Sequence, residues 1–464
     1  MATNMPQKDD TNSFKTAKEL FLLGLEFFEN GAYEDAEKYF QKSLEIIPNR
    51  LSTLINLGAT LLELHKLDEA YETIKASLKL DSHNAEALLN LGNYYSEQED
   101  WGKAIPIYDE AISIKSNYTE AYFNRGTALQ ETRRLHAAVA DYDKTIETDA
   151  DFAEAYWSKS HALLLDGNFL DGWELYEWRW KSKSTELKSR SFPQPLWLGK
   201  KSLKEKTILL YSEQGLGDTI QFCRYAKLVK ELGARVLLEV SVPLIPLLRQ
   251  LECVDEFIEV NKPLPNFDYH CPLISLPLAF KTQLDSIPSY QAYLRSDSNK
   301  VVEWKARLGE KSKLLVGLVW SGNTSHKKDR RRSIALDTLL PYLPSNFQYV
   351  CLQKEVRDVD KDALQRSSIR YFGDQISDFA DTAALCELVD VLISVDTSVA
   401  HLAGALGKRA WVLLPYVPDW RWLLDRDDSP WYESMRLYRQ DVDRDWRKVL
   451  MRAVNDLHKL SIKN

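Results

Sequence analysis

One spacing governs the first third of this chain. Gly24, Gly58, Gly92 and Gly126 recur every 34 residues, as do Ala36, Ala70, Ala104 and Ala138, and the bulky series Phe40, Ile74, Tyr108 and Tyr142. Such a phase marks one supersecondary unit repeated along the chain. A small residue is needed where two helices of a hairpin touch closely, and a large apolar one where each hairpin packs on the next. The region is therefore read as an all-α stack of helical hairpins. Pro48 closes the first unit, because proline cannot continue a helix. A fifth, altered copy follows at 153–181, with Ser160 at the glycine position and Gly172 at the alanine position. Its second half, GWELYEWRW, is unusually aromatic. A terminal repeat must become polar or dock on something. Trp173, Tyr176, Trp178 and Trp180 fit either docking on the next domain or a plain hydrophobic cap.

The 34-residue pattern resembles the tetratricopeptide repeat. At 464 residues the chain exceeds what one core supports, so further domains are expected. The expected division is a disordered tip at 1–13, repeats at 14–182, a connector at 183–203, and two α/β domains at 204–300 and 301–464. No run of about 18 apolar residues occurs, so no membrane span is expected. The polar N-terminus lacks the apolar core of a secretory signal. A net charge of −8 argues against general nucleic-acid affinity. Five scattered cysteines without a C-x-x-C pair point to reduced thiols, a cytoplasmic setting and no zinc site.

Beyond the repeats, short apolar runs alternate with helical patterns, which implies parallel sheets. TILLY (Thr207–Tyr211) reads as a strand, followed by a turn holding Gln214, Gly215 and Gly217, then a helix from Thr219. Such a turn places backbone N–H groups in the crevice beyond the strand. The turn ends in Asp218, where a phosphate cradle would avoid a carboxylate. Asp218 is therefore an acid or base facing a crevice, or simply a cap on its helix. Further strands are read at 234–240, 256–260, 269–273, 313–320, 347–353, 389–395 and 410–415, with a tail helix at 446–460 that could fold back across the domains.

The strand ending at Trp320 feeds Ser321-Gly322-Asn323 and a basic loop with His326, Lys327, Lys328, Arg330, Arg331 and Arg332. Arginine grips phosphate bidentately and lysine as a point charge. The loop is a solvated charge run or a phosphate site. Gln353 and Lys354 follow a strand and are placed to read a nucleobase or ribose. In SVDTSVAHLAGALGK, Asp396, Thr397 and Ser398 stand at a helix start, suited to a diphosphate or to capping. His401, one turn in, either reaches a ligand or packs in the core.

These motifs carry a second resemblance over the C-terminal 270 or so residues. Gly217-Asp218 and VDTSVAHLAGALGK resemble bacterial glycosyltransferases of family 9, the ADP-heptose:lipopolysaccharide heptosyltransferase type. The join to repeats, with EQGLGDTIQF, WSGN…DRRRSI and DWRWLLDRDDSPWY, is similar to a bacterial subgroup of repeat-bearing glycosyltransferases, and more loosely to protein O-GlcNAc transferases. The resemblance implies a GT-B fold of two facing Rossmann-like domains. It implies a metal-independent inverting glycosyltransferase that needs no cofactor and takes its sugar from a nucleoside diphosphate. Asp218 would be the catalytic base, with Gln214, Gly215 and Gly217 on the acceptor side. Asp396, Thr397 and His401 match the donor motif, and Arg332 or Lys328 the cation on the donor phosphates, with Arg330 beside them. Ser398 replaces the family's usual glycine. The repeats would recruit a protein or other macromolecular acceptor. A non-catalytic repeat scaffold with a degenerate GT-B module is the rival reading.

Overall fold

The protein is seen in a computed structural model that describes residues 8–185, 187, 189–324 and 329–462. The 34-residue phase folds as helical hairpins: α1 (Lys8–Glu29) with α2 (Tyr33–Ile46), α3 (Leu51–Glu63) with α4 (Leu67–Leu80), α5 (Ala85–Glu97) with α6 (Trp101–Ile114), and α7 (Thr119–Glu131) with α8 (Leu135–Thr148). The glycine and bulky registers meet inside each hairpin. A methyl group on Gly24 would lie 2.6 Å from the Phe40 ring, on Gly58 2.8 Å from Ile74, on Gly92 2.3 Å from Tyr108, and on Gly126 2.9 Å from Tyr142. The large residue thus closes its own hairpin over a missing side chain, and the repeat alanines, all fully buried, fill in beside it. This corrects the expectation that the bulky register chiefly joins one hairpin to the next. A further register emerges only in the backbone. Gly31, His65, Glu99, Arg133 and Gly167, again 34 apart, all have φ between +54° and +88°. They reverse the chain between paired helices, and three of them hold a left-handed conformation that costs an L-residue about 1–2 kcal/mol.

Helix α1 begins at Lys8, inside the segment expected to be disordered. Extending a helix already nucleated and packed costs little. The chain divides into two compact units, one ending at Ala162 and one beginning at Leu163. The boundary falls within the fifth copy, not at 182. Helix Phe169–Tyr176 and the 3₁₀ turn Glu177–Trp180 pack inside the second unit. Trp173 is 1% exposed, meets the Trp420 ring edge-on at 5.0 Å, and donates its indole N–H to the Thr282 carbonyl at 3.1 Å. Tyr176 is equally buried and shares a hydrogen bond with Gln214. The aromatic run docks on the α/β region, the first of its two readings.

The second unit holds two all-parallel sheets. The first has strands β1 (Thr207–Tyr211), β2 (Arg235–Val240), β3 (Glu256–Glu259) and β4 (Tyr269–Pro272) in the order β3-β2-β1-β4. The second has β5 (Leu315–Val319), β6 (Gln348–Cys351), β7 (Arg370–Tyr371), β8 (Val391–Val395), β9 (Ala410–Leu414) and β10 (Met435–Arg439) in the order β10-β9-β8-β5-β6-β7. Counted from β5, the second order is the doubly wound 3-2-1-4-5-6, and the first is its 3-2-1-4 part. Central strands β5, β8 and β9 are buried at every residue, as a sheet covered on both faces requires. The connector is pinned to the first sheet, where Leu196 bridges to His270 and Trp197 donates to the His270 carbonyl. The tail helix, Trp446–Ile462, buries Val449, Leu450, Ala453 and Leu457 in the core of the second sheet. Among the described residues, no helix is long and apolar enough to cross a membrane.

Candidate functional site

In a doubly wound sheet the strand order reverses beside the first strand, and a crevice opens beyond the strands' carboxyl ends. In the first sheet that point lies between β1 and β4, and in the second between β5 and β8. Four loops reach these points. Ser212–Gly215 follows β1, Leu273–Ser275 follows β4, residues 320–323 follow β5, and Asp396-Thr397 follows β8.

The two halves touch where Gly217 meets the start of the helix Ser398–Ala405. A Cβ on Gly217 would lie 3.0 Å from the His401 ring and 3.2 Å from the Ser398 Cα. A side chain there would force both neighbours to give by a few tenths of an ångström. Asp218 is third in the helix Leu216–Phe222 and accepts the Gly215 N–H through Oδ2 at 2.8 Å, so the capping reading holds. Its other oxygen, Oδ1, accepts Arg421 Nη2 at 2.5 Å. Arg421 comes from DWRW in the second half and is nearly buried. It also donates to Asp419 Oδ1 at 2.9 Å and Gln221 Oε1 at 2.6 Å, and lies over the Trp420 ring at 4.1 Å. The Asp218 carboxylate therefore links the loop after β1 to Arg421 of the second half.

In the loop after β5, Arg332 is braced by Asp329, whose oxygens also take Ser333 and Arg357. Arg332 donates Nη1 to the Asp396 carbonyl at 3.0 Å, at the carboxyl end of β8. Gly322 makes room for this arrangement, since a Cβ there would meet Arg332 at 2.6 Å and Asp329 at 2.7 Å. Thr397 occupies the N-cap position but makes no side-chain cap; its hydroxyl pairs with Ser394 at 3.2 Å. The start of the helix Ser398–Ala405 is left without a side-chain partner on its first N–H groups, beside Arg332. The Asp396 carboxyl is pushed up to about 6 by burial and by the Asp419 charge, against the pull of Arg332 and Arg421. His401 is 5% exposed, bonds Tyr432 through Nδ1 at 3.0 Å and stacks on Trp422. Burial and the Arg421 charge depress it to about 3, so it is neutral. It packs in the core, yet its Nε2 lies 3.9 Å from Asp396.

The remaining expected residues divide. The amide of buried Gln353 receives the N–H groups of Trp320 at 2.7 Å and Ser321 at 3.3 Å, and donates to the Ser321 hydroxyl at 2.9 Å. It braces the loop after β5. Lys354 is exposed and directed at the Ser377 carbonyl. Asn323 and Arg330 are exposed. Lys328, with His326 and Lys327, lies outside the described residues.

Two groups at the crevice escaped the sequence reading. One is Arg421; a charged residue inside the apolar run DWRWLL was its signal. The other is Glu213, directly after β1. Its Oε1 accepts Arg179 Nη2 at 3.2 Å and the Ile274 N–H at 3.3 Å, while Oε2 is buried without a partner. Burial pushes its carboxyl up to about 7 against the nearby Arg179, with Asp218 and Glu177 adding to the rise. Arg179, from the aromatic turn, is wholly buried and also donates to Glu177 and Ser275. Among the described residues no cluster of three or more His, Cys, Asp or Glu is placed to hold a metal ion.

Comparison with known proteins identifies the repeats, and one curated relative aligns over more of the chain than the first unit holds. Residues 17–50, 49–117 and 119–152 match the tetratricopeptide repeat. Protein FlbA of Caulobacter vibrioides is 26% identical over 326 residues, covering 64% of this chain and 53% of its own. The chain spans about half the length of that curated relative. Among solved structures, MamA is 26% identical over 33% of this chain and 91% of its own, at a TM-score of 0.29. A thermophilic tetratricopeptide-repeat protein of Thermus thermophilus is 16% identical over 37% and 93%, at 0.34. The N-terminal hairpins are tetratricopeptide repeats, a module that binds other proteins along an extended concave surface.

Proposed function

We propose that the second unit is an inverting glycosyltransferase of GT-B type, taking its sugar from a nucleoside diphosphate and needing no metal, and that the repeats recruit a protein or other macromolecular acceptor. The observation that carries this reading is Arg332. Asp329 holds it at the switch point of a doubly wound sheet, against the Asp396 carbonyl and beside an uncapped helix start. A diphosphate leaving group needs stabilisation of developing negative charge, and a fixed guanidinium with free helix N–H groups supplies it. Ser398 and Val399, after the N-cap Thr397, present those N–H groups. Ser321 and Gln353 shape the loop facing them, and Gln214 and Gly215 lie on the acceptor side.

One observation favours the rival, a non-catalytic scaffold: both oxygens of Asp218 are engaged, by Gly215 and by Arg421. The readings part on ligand binding. A ligand that binds only the folded state raises its melting temperature. UDP, GDP and ADP are screened this way against the full chain, and the one that binds is titrated by calorimetry. Arg332→Ala is expected to weaken it by about 1.5–3 kcal/mol, the range for a charge-assisted hydrogen bond. Unchanged affinity places the phosphates elsewhere; no binding by any diphosphate favours the scaffold.

A further inference from the structure

We propose that Glu213 is the group that takes the proton from the acceptor hydroxyl, while Asp218 and Arg421 hold the two halves of the crevice in register. The assignment rests on the glycosyltransferase reading. It starts from a difference between two carboxylates carried five residues apart on one turn. Each Asp218 oxygen already accepts a hydrogen bond, Oδ2 from the Gly215 N–H and Oδ1 from Arg421. Glu213 has one oxygen held, by Arg179 and the Ile274 N–H, and one oxygen without a partner. Both Arg179 and the Ile274 loop are themselves fixed, the former by Glu177 and Ser275. The carboxyl is thus oriented from behind, with Oε2 buried and unpartnered. It stands at the carboxyl end of β1, where a sheet of this type takes its ligand.

The charged and titratable groups around it are Arg179, Glu177, Asp218, Tyr211 and Cys271. Their balance with burial sets its titration at about 7. A general base works best when its pKa lies near the working pH. In the step itself, Oε2 accepts the hydroxyl proton. The acceptor oxygen forms its bond to the anomeric carbon, and the bond from that carbon to the diphosphate oxygen breaks, releasing the nucleoside diphosphate. Glu213 ends protonated and returns the proton to solvent.

The test uses the full chain and the glucose conjugate of whichever of UDP, GDP or ADP raises its melting temperature, with water as acceptor. Release of glucose is followed from pH 5 to 9. The expected rate of the unaltered protein rises through a midpoint near 7. Glu213→Gln should lose about 10²–10⁴-fold in turnover and lose that midpoint, with diphosphate affinity unchanged. Glu213→Asp, which keeps the carboxylate, should recover part of the rate and a shifted midpoint, an outcome that a packing role does not produce. Glu213→Gln with the rate and pH profile of the unaltered protein overturns the assignment and leaves the glycosyltransferase reading standing. Failure of every diphosphate to bind, or of a bound sugar conjugate to be cleaved, overturns both.

Discussion

Arg421→Met removes the centre of the contact between the two sheets and leaves a side chain of similar length. Three hydrogen bonds disappear, to Asp218, Asp419 and Gln221. Breaking a buried ion pair from one side costs about 3–5 kcal/mol, because the other charge is stranded. Here the stranded carboxylates retain some access to water, with the Asp218 side chain 22% and that of Asp419 34% exposed. Gln221 is wholly buried, so its orphaned oxygen adds about 1–3 kcal/mol, while methionine recovers part of the packing on Trp420. The net expectation is a loss of about 3 kcal/mol in the α/β unit. Urea unfolding followed by tryptophan fluorescence reads it directly, since Trp420 and Trp422 flank the site. The decisive measurement is a double-mutant cycle with Asp218→Asn. If the pair exists in solution, Asp218→Asn is less costly in the methionine background, with a coupling of about 1–2 kcal/mol. Contacting residues couple by about 0.5–3 kcal/mol and distant ones add within about 0.3–0.5 kcal/mol. Strict additivity, with a single-variant loss below about 1 kcal/mol, would refute the clamp.

The repeat register predicts that Gly92→Ala destabilises the solenoid by about 1–3 kcal/mol in thermal unfolding, because its methyl would lie 2.3 Å from the Tyr108 ring, despite alanine's better helix propensity. Gly217→Ala should lower diphosphate affinity in calorimetry, since its Cβ meets Ser398 Cα at 3.2 Å and pushes the helix start out of place. The pH dependence has a definite sign. Glu213 titrates near 7 in the fold against 4.5 unfolded, and Asp396 near 6 against 3.8. The folded state therefore holds more protons in these windows, and their contribution is lost as pH rises from about 4 to 7. For Glu213 the loss is about 3 kcal/mol above pH 7, so Glu213→Gln should gain about that much over the unaltered protein in urea unfolding at pH 8 and little at pH 4. His401 acts oppositely, with a folded value near 3 against 6.5, so its share of stability is lost as pH falls below 6.5.

Much of the fold was legible in local periodicity. The hairpins followed from a 34-residue phase, and eight of the ten strands from apolar runs near their observed bounds. The two missed strands lie at the sheet's edges. Met435–Arg439 is a short run broken by Arg436 and Arg439, and Arg370–Tyr371 is too short to carry a pattern. The site was legible in part. Gly217, Asp218, Arg332, Asp396, Thr397 and His401 were picked out as residue types beside a strand end, and the fold brings Gly217 against His401 and Arg332 onto Asp396. What each does there was not legible.

That limit has a physical cause. Helix and strand formation depends on side chains a few positions apart, so the chain by itself determined where the elements run and which strand ends carry polar turns. The state of a carboxylate depends on what surrounds it in space. Asp218 is engaged by an arginine 203 positions away, Arg179 reaches Glu213 from the aromatic turn 34 positions upstream, and Gln221 meets Arg421 across 200. His401 became a neutral core residue because burial and distant arginines outweigh its own basicity. Only the tertiary structure, by bringing two parallel sheets into contact at Gly217, decided which of the polar residues bind one half to the other and which is left buried without a partner.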